Sequence, residues 1–276
     1  MAIAARPLAP AIGAEILGAD LRRRLDAADR DAIHAAWLRH QVLLFRDQDI
    51  DEAQQAAFAA CFGEMEHVRA APGAGEVAAV ALFVSNVVEA DGRRGALPDG
   101  EMEFHTDRCY YEFPTSGTLL YALEIPPEGG DTLFASGYAA YDALSPELIA
   151  RLERLQALNI YDYGANGTVR RTAPGADAPR AVHPVIRTHP ETGRRSVYVN
   201  RLMTTEILGL DPAESDELLE ILWRTIERPE LRYAHRWRPG DLLMWDNRCT
   251  FHARTDFDHR HRRRLRRMTL KGDRPV

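Results

Sequence analysis

Strand patterns separated by turn residues dominate the chain from residue 103 onward, and they constrain the fold more than any other feature. The turn residues PPEGG separate two of these patterns, GTLLYALEI and DTLFAS, which are rich in β-branched, aromatic and aliphatic residues. Further strand patterns stand at HPVIRTH, RSVYVN and RLRRMTLKGD. Many short strands with Pro and Gly turns are typical of a β-barrel or of two packed sheets. The sequence therefore predicts a mainly β core.

Helical patterns precede this core and recur within it. Residues 25–40 show a helical apolar rhythm after an acidic start, and Asp51 and Gly63 mark the two ends of a second helical pattern. Two later patterns, SPELIARLERLQALN and AESDELLEILWRTI, also predict helices. We therefore expect helices to flank the β core on the outside.

The sequence predicts one domain over residues 1–276, because no internal repeat or clean linker divides it. Residues 87–102 form a long segment punctuated by Gly and Pro that ends close to His105, and we expect a lid over the functional site there. The polar, Gly- and Pro-rich residues 163–181 are expected to form a flexible insert. The first twenty residues are expected to begin the fold and not to act as a signal peptide.

Composition excludes several classes of function. No run of eighteen apolar residues is present, so no membrane span is predicted. The three cysteines are widely spaced, which argues against a disulfide framework and favours a reducing cytoplasm. A net charge of −6 gives no general attraction to nucleic acid. Lys271 is the single lysine among 35 basic residues, so the abundance of arginine reflects codon bias more than function.

His105 and Asp107 are the first candidate functional residues. Residues i and i+2 of a strand point to the same side, so these two present an imidazole and a carboxylate to one point. The third ligand should come from later in the chain. Among ten histidines we choose His252, because it follows LLMWDNRCTF, where an apolar strand runs into a polar corner. Two imidazoles and a carboxylate that leave open positions suit Fe(II) that binds a co-substrate and O₂.

Side chains near these candidate ligands are expected to support them. The corner before His252 should orient its ring, and it consists of Trp245, Asp246 and Asn247. Three aromatic residues after Asp107 either line a pocket or pack in the core, and core packing is the commoner role: Tyr110, Tyr111 and Phe113.

The arginine-rich segment near the end of the chain has two faces in strand geometry. One face carries Arg263, Leu265, Arg267 and Thr269. The other carries Arg262, Arg264, Arg266 and Met268 and is expected to offer its basic groups mainly to solvent. The first face can bring two guanidiniums into a pocket, where each would pair bidentately with an anion. A solvated basic strand or a nucleic-acid patch is the alternative interpretation.

The chain resembles the TauD/TfdA family of Fe(II)- and 2-oxoglutarate-dependent dioxygenases over nearly its whole length. The matching segments include PLAPAIGAEILGADL, LRHQVLLFRDQ, HTD at 105–107, HPVIRTHPETGRRSVYVN, WRPGDLLMWDNRCTFHA and RRLRRMTLKGDRP. The resemblance implies a double-stranded β-helix (jelly-roll) core and homodimers or homotetramers. It also implies iron ligands at His105, Asp107 and His252. By the same resemblance, Thr132 and Arg263 would hold 2-oxoglutarate, and Arg267 would hold the substrate anion.

The substrate side departs from the taurine-oxidising members of that family. Phe104 replaces a Trp, Met203 replaces an aromatic residue, and His67 roughly matches a substrate-contacting His. We therefore expect a small anionic organic substrate other than taurine, such as a larger or more hydrophobic carboxylate, sulfonate or sulfate ester. Succinate and CO₂ would be the co-products.

Other functions remain open at the level of sequence. The same iron centre would also support desaturation, or oxidative decarboxylation of an amino-acid-like substrate. A non-catalytic anion- or metal-binding protein would use the same fold but would be expected to have lost a ligand or Arg263. Nucleic-acid binding through residues 260–267 is disfavoured by the acidic net charge.

Overall fold

The structure is a computed structural model, and it describes residues 2–67, 80–88, 95–96, 100–161, 175 and 177–276. Within these residues the chain forms 16 strands and five α-helices. The strands are β1 (Ala4–Pro7), β2 (Ala14–Leu17), β3 (Val42–Phe45), β4 (Leu82–Ser85), β5 (Met102–His105), β6 (Gly117–Glu124), β7 (Thr132–Ser136), β8 (Gln156–Ile160), β9 (Arg180–Pro184), β10 (Ile186–Thr188), β11 (Arg195–Val197), β12 (Thr204–Ile207), β13 (Arg232–His235), β14 (Leu242–Asp246), β15 (Thr250–Arg254) and β16 (Arg264–Leu270). The helices are α1 (Ala27–His40), α2 (Glu52–Ala59), α3 (Gly137–Asp142), α4 (Pro146–Leu152) and α5 (Pro212–Ile226), with a 3₁₀ turn at Pro229–Leu231.

Two sheets form the core. Among the described residues the larger sheet has the order β1-β2-β3-β14-β6-β16-β4, and the smaller has the order β13-β7-β15-β5. From β5 to β7, and again from β13 to β16, consecutive strands alternate between the two sheets. This alternation of antiparallel strands is the double-stranded β-helix, or jelly roll. The predicted mainly β fold with flanking helices and a jelly-roll core is therefore confirmed.

Apolar side chains fill the space between the two sheets. Phe134 of the smaller sheet meets Trp245 of the larger one with ring centroids 5.4 Å apart. Both belong to a buried cluster that also includes Leu120, Leu243 and Leu265. These residues follow the period-2 alternation of their strands, so the opposite faces of the two sheets must be covered by other elements.

Helices α1 and α2 cover the outer face of the larger sheet. Trp37 and Phe58 pack there in one cluster with Phe45 and Met244. Both helices start at an Asp whose carboxylate accepts a backbone N–H of the first turn, and in α2 this is a complete capping box. The caps fix where each helix begins, and thereby which side faces the sheet.

The outer face of the smaller sheet is covered by helices α3, α4 and α5, together with the two-stranded sheet β10-β11 and the three-stranded sheet β12-β8-β9. Leu218 and Leu222 of α5 share a buried cluster with Phe251 of β15. The predicted helix over SPELIARLERLQALN is confirmed in its first half, which forms α4 up to Leu152. It is wrong in its second half, where strand β8 begins at Gln156. β8 lies between β12 and β9 in a three-stranded sheet, and this pairing overrides the local helical pattern.

Parts of the predicted lid at 87–102 and insert at 163–181 lie outside the described residues, so both stay predictions. None of the helices that the structure describes is long and apolar enough to cross a membrane.

Candidate active site

His105, Asp107 and His252 come together at one end of the space between the sheets. His105 and His252 are direct partners in the antiparallel pair of β5 and β15, and their ring centroids are 4.1 Å apart. His252 Nε2 is 3.7 Å from Asp107 Oδ1. One potential ligand atom from each of the three residues lies within 4.8 Å of the others. Strand β5 ends at His105, so Asp107 lies in the following turn and not in a strand as predicted. The turn still brings its carboxylate to the same point.

The Asp107 carboxylate has a different partner on each oxygen. Arg267 Nη2 is 2.8 Å from Oδ1, and the Thr118 hydroxyl donates to Oδ2 at 2.7 Å. Burial alone would raise the pKa of Asp107, but the Arg267 guanidinium and the hydrogen bond from Thr118 hold that pKa well below its ordinary range. The group is therefore an ionised carboxylate, which is the form that binds a cation.

His105 and His252 are neutral imidazoles, the form that binds a metal ion. Burial lowers the pKa of both His105 and His252. His105 Nδ1 donates to the Glu103 carbonyl oxygen at 2.9 Å, which leaves the lone pair on Nε2. His252 Nε2 faces Asp107. Two neutral imidazoles and one carboxylate are the donor set of mononuclear non-haem Fe(II) sites, so the residues present fit this metal.

A cavity of about 300 Å³ extends from these three residues. Its wall is largely apolar, and four arginines also line it: Arg108, Arg254, Arg263 and Arg267. Residues that line it include Leu82, Val84, Met102, Arg108, Tyr110, Leu120, Thr132, Tyr161, Leu202, Met203, Trp245, Arg254, Arg263, Arg267 and Thr269. An apolar cavity with a few convergent polar groups is typical of a small-molecule site.

Arg263 and Thr132 lie in this cavity as predicted, and their geometry suits a carboxylate. Arg263 is 2% exposed; its Nη2 donates to the Gly130 carbonyl oxygen at 3.0 Å, and its Nε has no hydrogen-bond partner among the described residues. Burial and the nearby cation Arg254 lower the pKa of Arg263 to about 9. Thr132 accepts a hydrogen bond from the Trp237 indole at 3.0 Å, so its own proton is available for a ligand. An anion would satisfy both groups, and 2-oxoglutarate has a suitable carboxylate.

Residues 263–269 alternate between two faces of the strand, largely as predicted. Arg263, Arg267 and Thr269 line the cavity, and Leu265 packs between the sheets. The prediction that the other face is mainly solvent-exposed is wrong for Arg266, which is 6% exposed. Its Nε donates to Gln55 Oε1 at 2.7 Å, and Nη2 donates to two backbone carbonyls at the start of α2. Helix α2 therefore buries Arg266, whereas Arg262 on the same face is exposed.

The predicted substrate residues divide into two groups. His67 and Met203 line the cavity. Phe104 is not among the lining residues, and it packs in the cluster on the outer face of the smaller sheet, with the Arg232 guanidinium 5.4 Å from its ring centroid. The prediction for Phe104 is corrected accordingly. Since Phe104 precedes His105 in the same strand, its side chain points to the opposite face.

Only one of the three residues predicted to orient the His252 ring contacts it. The Trp245 ring lies against His252 with centroids 4.9 Å apart, but Asn247 donates to Thr118, on the side of Asp107. Asp246 faces away, where its carboxylate accepts from Arg248 and is 3.0 Å from His189. The prediction therefore holds for Trp245 alone.

Sequence reasoning missed several cavity residues. Arg254 stands two residues after His252 in β15, so strand alternation would have placed it on the same face. Tyr110 lines the cavity, contrary to the preference for core packing, and its ring centroid is 4.8 Å from that of Tyr161. Phe113 is 58% exposed and belongs to neither the core nor the cavity. Arg108, Tyr161 and Leu202 had no signal in the sequence.

Comparisons with known proteins agree with this geometry. The family model described as "Taurine catabolism dioxygenase TauD, TfdA family" matches residues 4–269. The chain is 36% identical to the (S)-phenoxypropionate/alpha-ketoglutarate-dioxygenase of Sphingobium herbicidovorans, over 97% of this chain and 94% of that protein. It is 35% identical to pentalenolactone F synthase of Streptomyces avermitilis, over 96% and 93% of the two chains. A crystal structure of a taurine dioxygenase from Burkholderia xenovorans superposes with a TM-score of 0.84 at 33% identity, and the match covers 100% of this chain and 91% of that one. The chain therefore belongs to the TauD/TfdA family of dioxygenases.

Proposed function

We propose that this protein is an Fe(II)- and 2-oxoglutarate-dependent dioxygenase that hydroxylates a small anionic organic molecule. The observation that carries this proposal is the arrangement of one ionised carboxylate and two neutral imidazoles beside buried arginines in one apolar cavity. When bound, iron with 2-oxoglutarate and O₂ supplies the oxidant for the substrate, with succinate and CO₂ as co-products.

In this proposal His105, Asp107 and His252 hold the iron. The buried, partly unpartnered Arg263 and the Thr132 hydroxyl bind the far carboxylate of 2-oxoglutarate. His105, His252 and Thr132 stand on the neighbouring strands β5, β15 and β7 of one sheet. The sheet would therefore orient the co-substrate relative to the iron. The apolar walls exclude water from the reacting centre.

Arg267 is proposed to bind the anionic group of the substrate, since it lines the cavity within reach of the metal ligands. His67 and Met203 would contact the rest of the molecule. Tyr110 and Tyr161 provide an aromatic wall, which favours substrates that carry an aryl group. Together with the relative that acts on phenoxypropionate, this makes an aryl-substituted carboxylate the first class to test, ahead of sulfonates and sulfate esters.

The contacts of the basic segment argue against nucleic-acid binding. Arg260 pairs with Asp258 and Arg262 pairs with Glu124, while Arg266 is buried under α2. Most of the charge that would form a basic patch is thus neutralised or inaccessible.

We further propose a single domain over residues 1–276, a cytoplasmic location and a homodimer or homotetramer, which rest on the resemblance and the cysteine pattern.

An anaerobic absorption titration tests the proposal. Purified protein is titrated with Fe(II) and then with 2-oxoglutarate, and a charge-transfer band is expected only when both are present. His252→Ala should lose the band while remaining folded. Aryl and alkyl carboxylates, sulfonates and sulfate esters are then screened for substrate-dependent succinate formation. A folded wild-type protein that shows no band would contradict the proposed function.

A further inference from the structure

A chain of three hydrogen bonds runs through the larger sheet to one oxygen of Asp107. The Trp245 indole Nε1 is 2.9 Å from Asn247 Oδ1, Asn247 Nδ2 is 2.9 Å from Thr118 Oγ1, and Thr118 Oγ1 is 2.7 Å from Asp107 Oδ2. Asp107 is 5% exposed, and the other three residues are between 0% and 2% exposed. Trp245 and Thr118 are direct partners in the antiparallel pair of β14 and β6, so the chain is built on the rigid centre of the sheet.

The direction of every bond in this chain follows from the chemistry of its ends. An indole N–H can only donate, so the Asn247 amide oxygen accepts from Trp245 and its amide nitrogen must face Thr118. The Thr118 oxygen accepts that N–H and uses its own proton to donate to Asp107. The ionised carboxylate can only accept, so no link of the chain can reverse.

We propose that Thr118, held by Asn247 and Trp245, is a positioning residue that keeps Asp107 Oδ2 engaged and leaves Oδ1 as the one oxygen available to iron. Oδ1 is the oxygen that faces His252, and it is paired with Arg267 Nη2 at 2.8 Å, a contact that bound iron would share or replace. With Asp107 limited to one donor atom, the three ligands leave positions open for the co-substrate and O₂. This inference rests on the proposed iron site and adds a reason for its open coordination.

The test compares Thr118→Val, which removes the hydroxyl at nearly constant volume, with Thr118→Ser, which retains it. Binding of Mn(II) is measured by calorimetry, and the visible absorption of the Co(II)-loaded protein reports the coordination of the metal. Thr118→Val is expected to bind Mn(II) about tenfold more weakly or worse, and to change the Co(II) spectrum. Thr118→Ser should remain within about twofold of wild type and keep its spectrum.

Thr225→Val serves as the matched control, because Thr225 is also a buried threonine with one hydroxyl bond, to the Ile221 carbonyl in α5. It should leave metal binding unchanged even if it lowers the melting temperature as much as Thr118→Val does. Wild-type metal affinity and spectrum in Thr118→Val would overturn the positioning role, and so would an equal loss in Thr118→Ser. A wild-type protein that binds neither metal would instead overturn the proposed iron site itself.

Discussion

Arg267 and Asp107 form an ion pair inside the cavity, with Nη2 2.8 Å from Oδ1. Their side chains are 16% and 6% exposed, so water screens this pair less than it would a surface pair. The cation proposed to bind the substrate therefore contacts the carboxylate proposed to bind iron. Iron would compete with Arg267 for the Asp107 carboxylate, and a substrate anion would compete with Asp107 for the Arg267 guanidinium. Binding of the substrate anion and binding of iron are therefore physically linked through this pair.

Arg267→Ala is expected to reduce substrate oxidation by about 100-fold or more, since the proposed contact between this partly buried guanidinium and the substrate anion would be lost. Uncoupled consumption of 2-oxoglutarate should fall much less, because Arg263 and Thr132 remain. Arg267→Lys should be intermediate, as it keeps the charge without the planar fork. The measurement is product formed per 2-oxoglutarate consumed. An equal fall in both reactions would remove Arg267 from the substrate role.

Arg263→Ala is expected to raise the 2-oxoglutarate concentration needed for half-maximal turnover by at least about 100-fold, because a buried charged hydrogen-bond partner is lost. Metal affinity should stay nearly unchanged, since Arg263 touches none of the three proposed ligands in the described contacts. Arg266→Ala is a matched control from the opposite face of β16, where the guanidinium is also buried but contacts α2. It should lower stability and leave co-substrate dependence intact. Co-substrate dependence that is the same in both variants would contradict the assignment.

Met203 and Phe104 provide a test of which side chains select the substrate. Met203→Ala enlarges the cavity and should change the ratio of kcat/KM between two carboxylates of different length by about tenfold or more. Phe104→Leu should leave that ratio within about twofold and lower the free energy of unfolding by roughly 1 kcal/mol, because this ring packs in the core. A specificity change in Phe104→Leu as large as that in Met203→Ala would contradict the placement of Phe104 outside the site.

The parts of the site that sequence could predict are those that depend on strand alternation or motif. The facing of Arg263 and Arg267 followed from alternation, and the same rule would have excluded Phe104, which was instead assigned by resemblance. The contact between Thr118 and Asn247 joins residues 129 positions apart, and no local pattern indicates it. The burial of Arg266 likewise depends on α2, which only the tertiary structure brings onto that face.

The fold was predictable to a similar extent. Short strands and turn residues indicated a mainly β core, either a barrel or two packed sheets, because they record local backbone preferences. The jelly roll itself was implied by the family resemblance. The change from α4 to β8 within SPELIARLERLQALN was not predicted, since β8 exists only through its pairing with β9 and β12. Long-range pairing of this kind leaves little trace in a single sequence.

His183 predicts how stability depends on pH. It is 2% exposed in β9, and its Nε2 donates to the Tyr111 carbonyl oxygen at 2.9 Å. Burial, assisted by Arg187 and Arg274, lowers the pKa of His183 to about 4 in the folded protein, although the hydrogen bond opposes this shift. In the unfolded chain the pKa is about 6.5. The unfolded state therefore binds a proton between pH 6.5 and 4 that the folded state does not.

The contribution of neutral His183 to the free energy of unfolding is therefore complete above pH 6.5. It is lost as the pH falls toward 4, by about 3 kcal/mol in total for a shift of this size. His183→Gln keeps a donor for the Tyr111 carbonyl but cannot titrate. We expect the free energy of unfolding of the wild type to fall more steeply than that of His183→Gln over this interval, as measured by urea unfolding at a series of pH values. Since other buried histidines titrate in both proteins, the difference between the two curves isolates His183. Parallel curves would show that this imidazole is not held neutral by the fold.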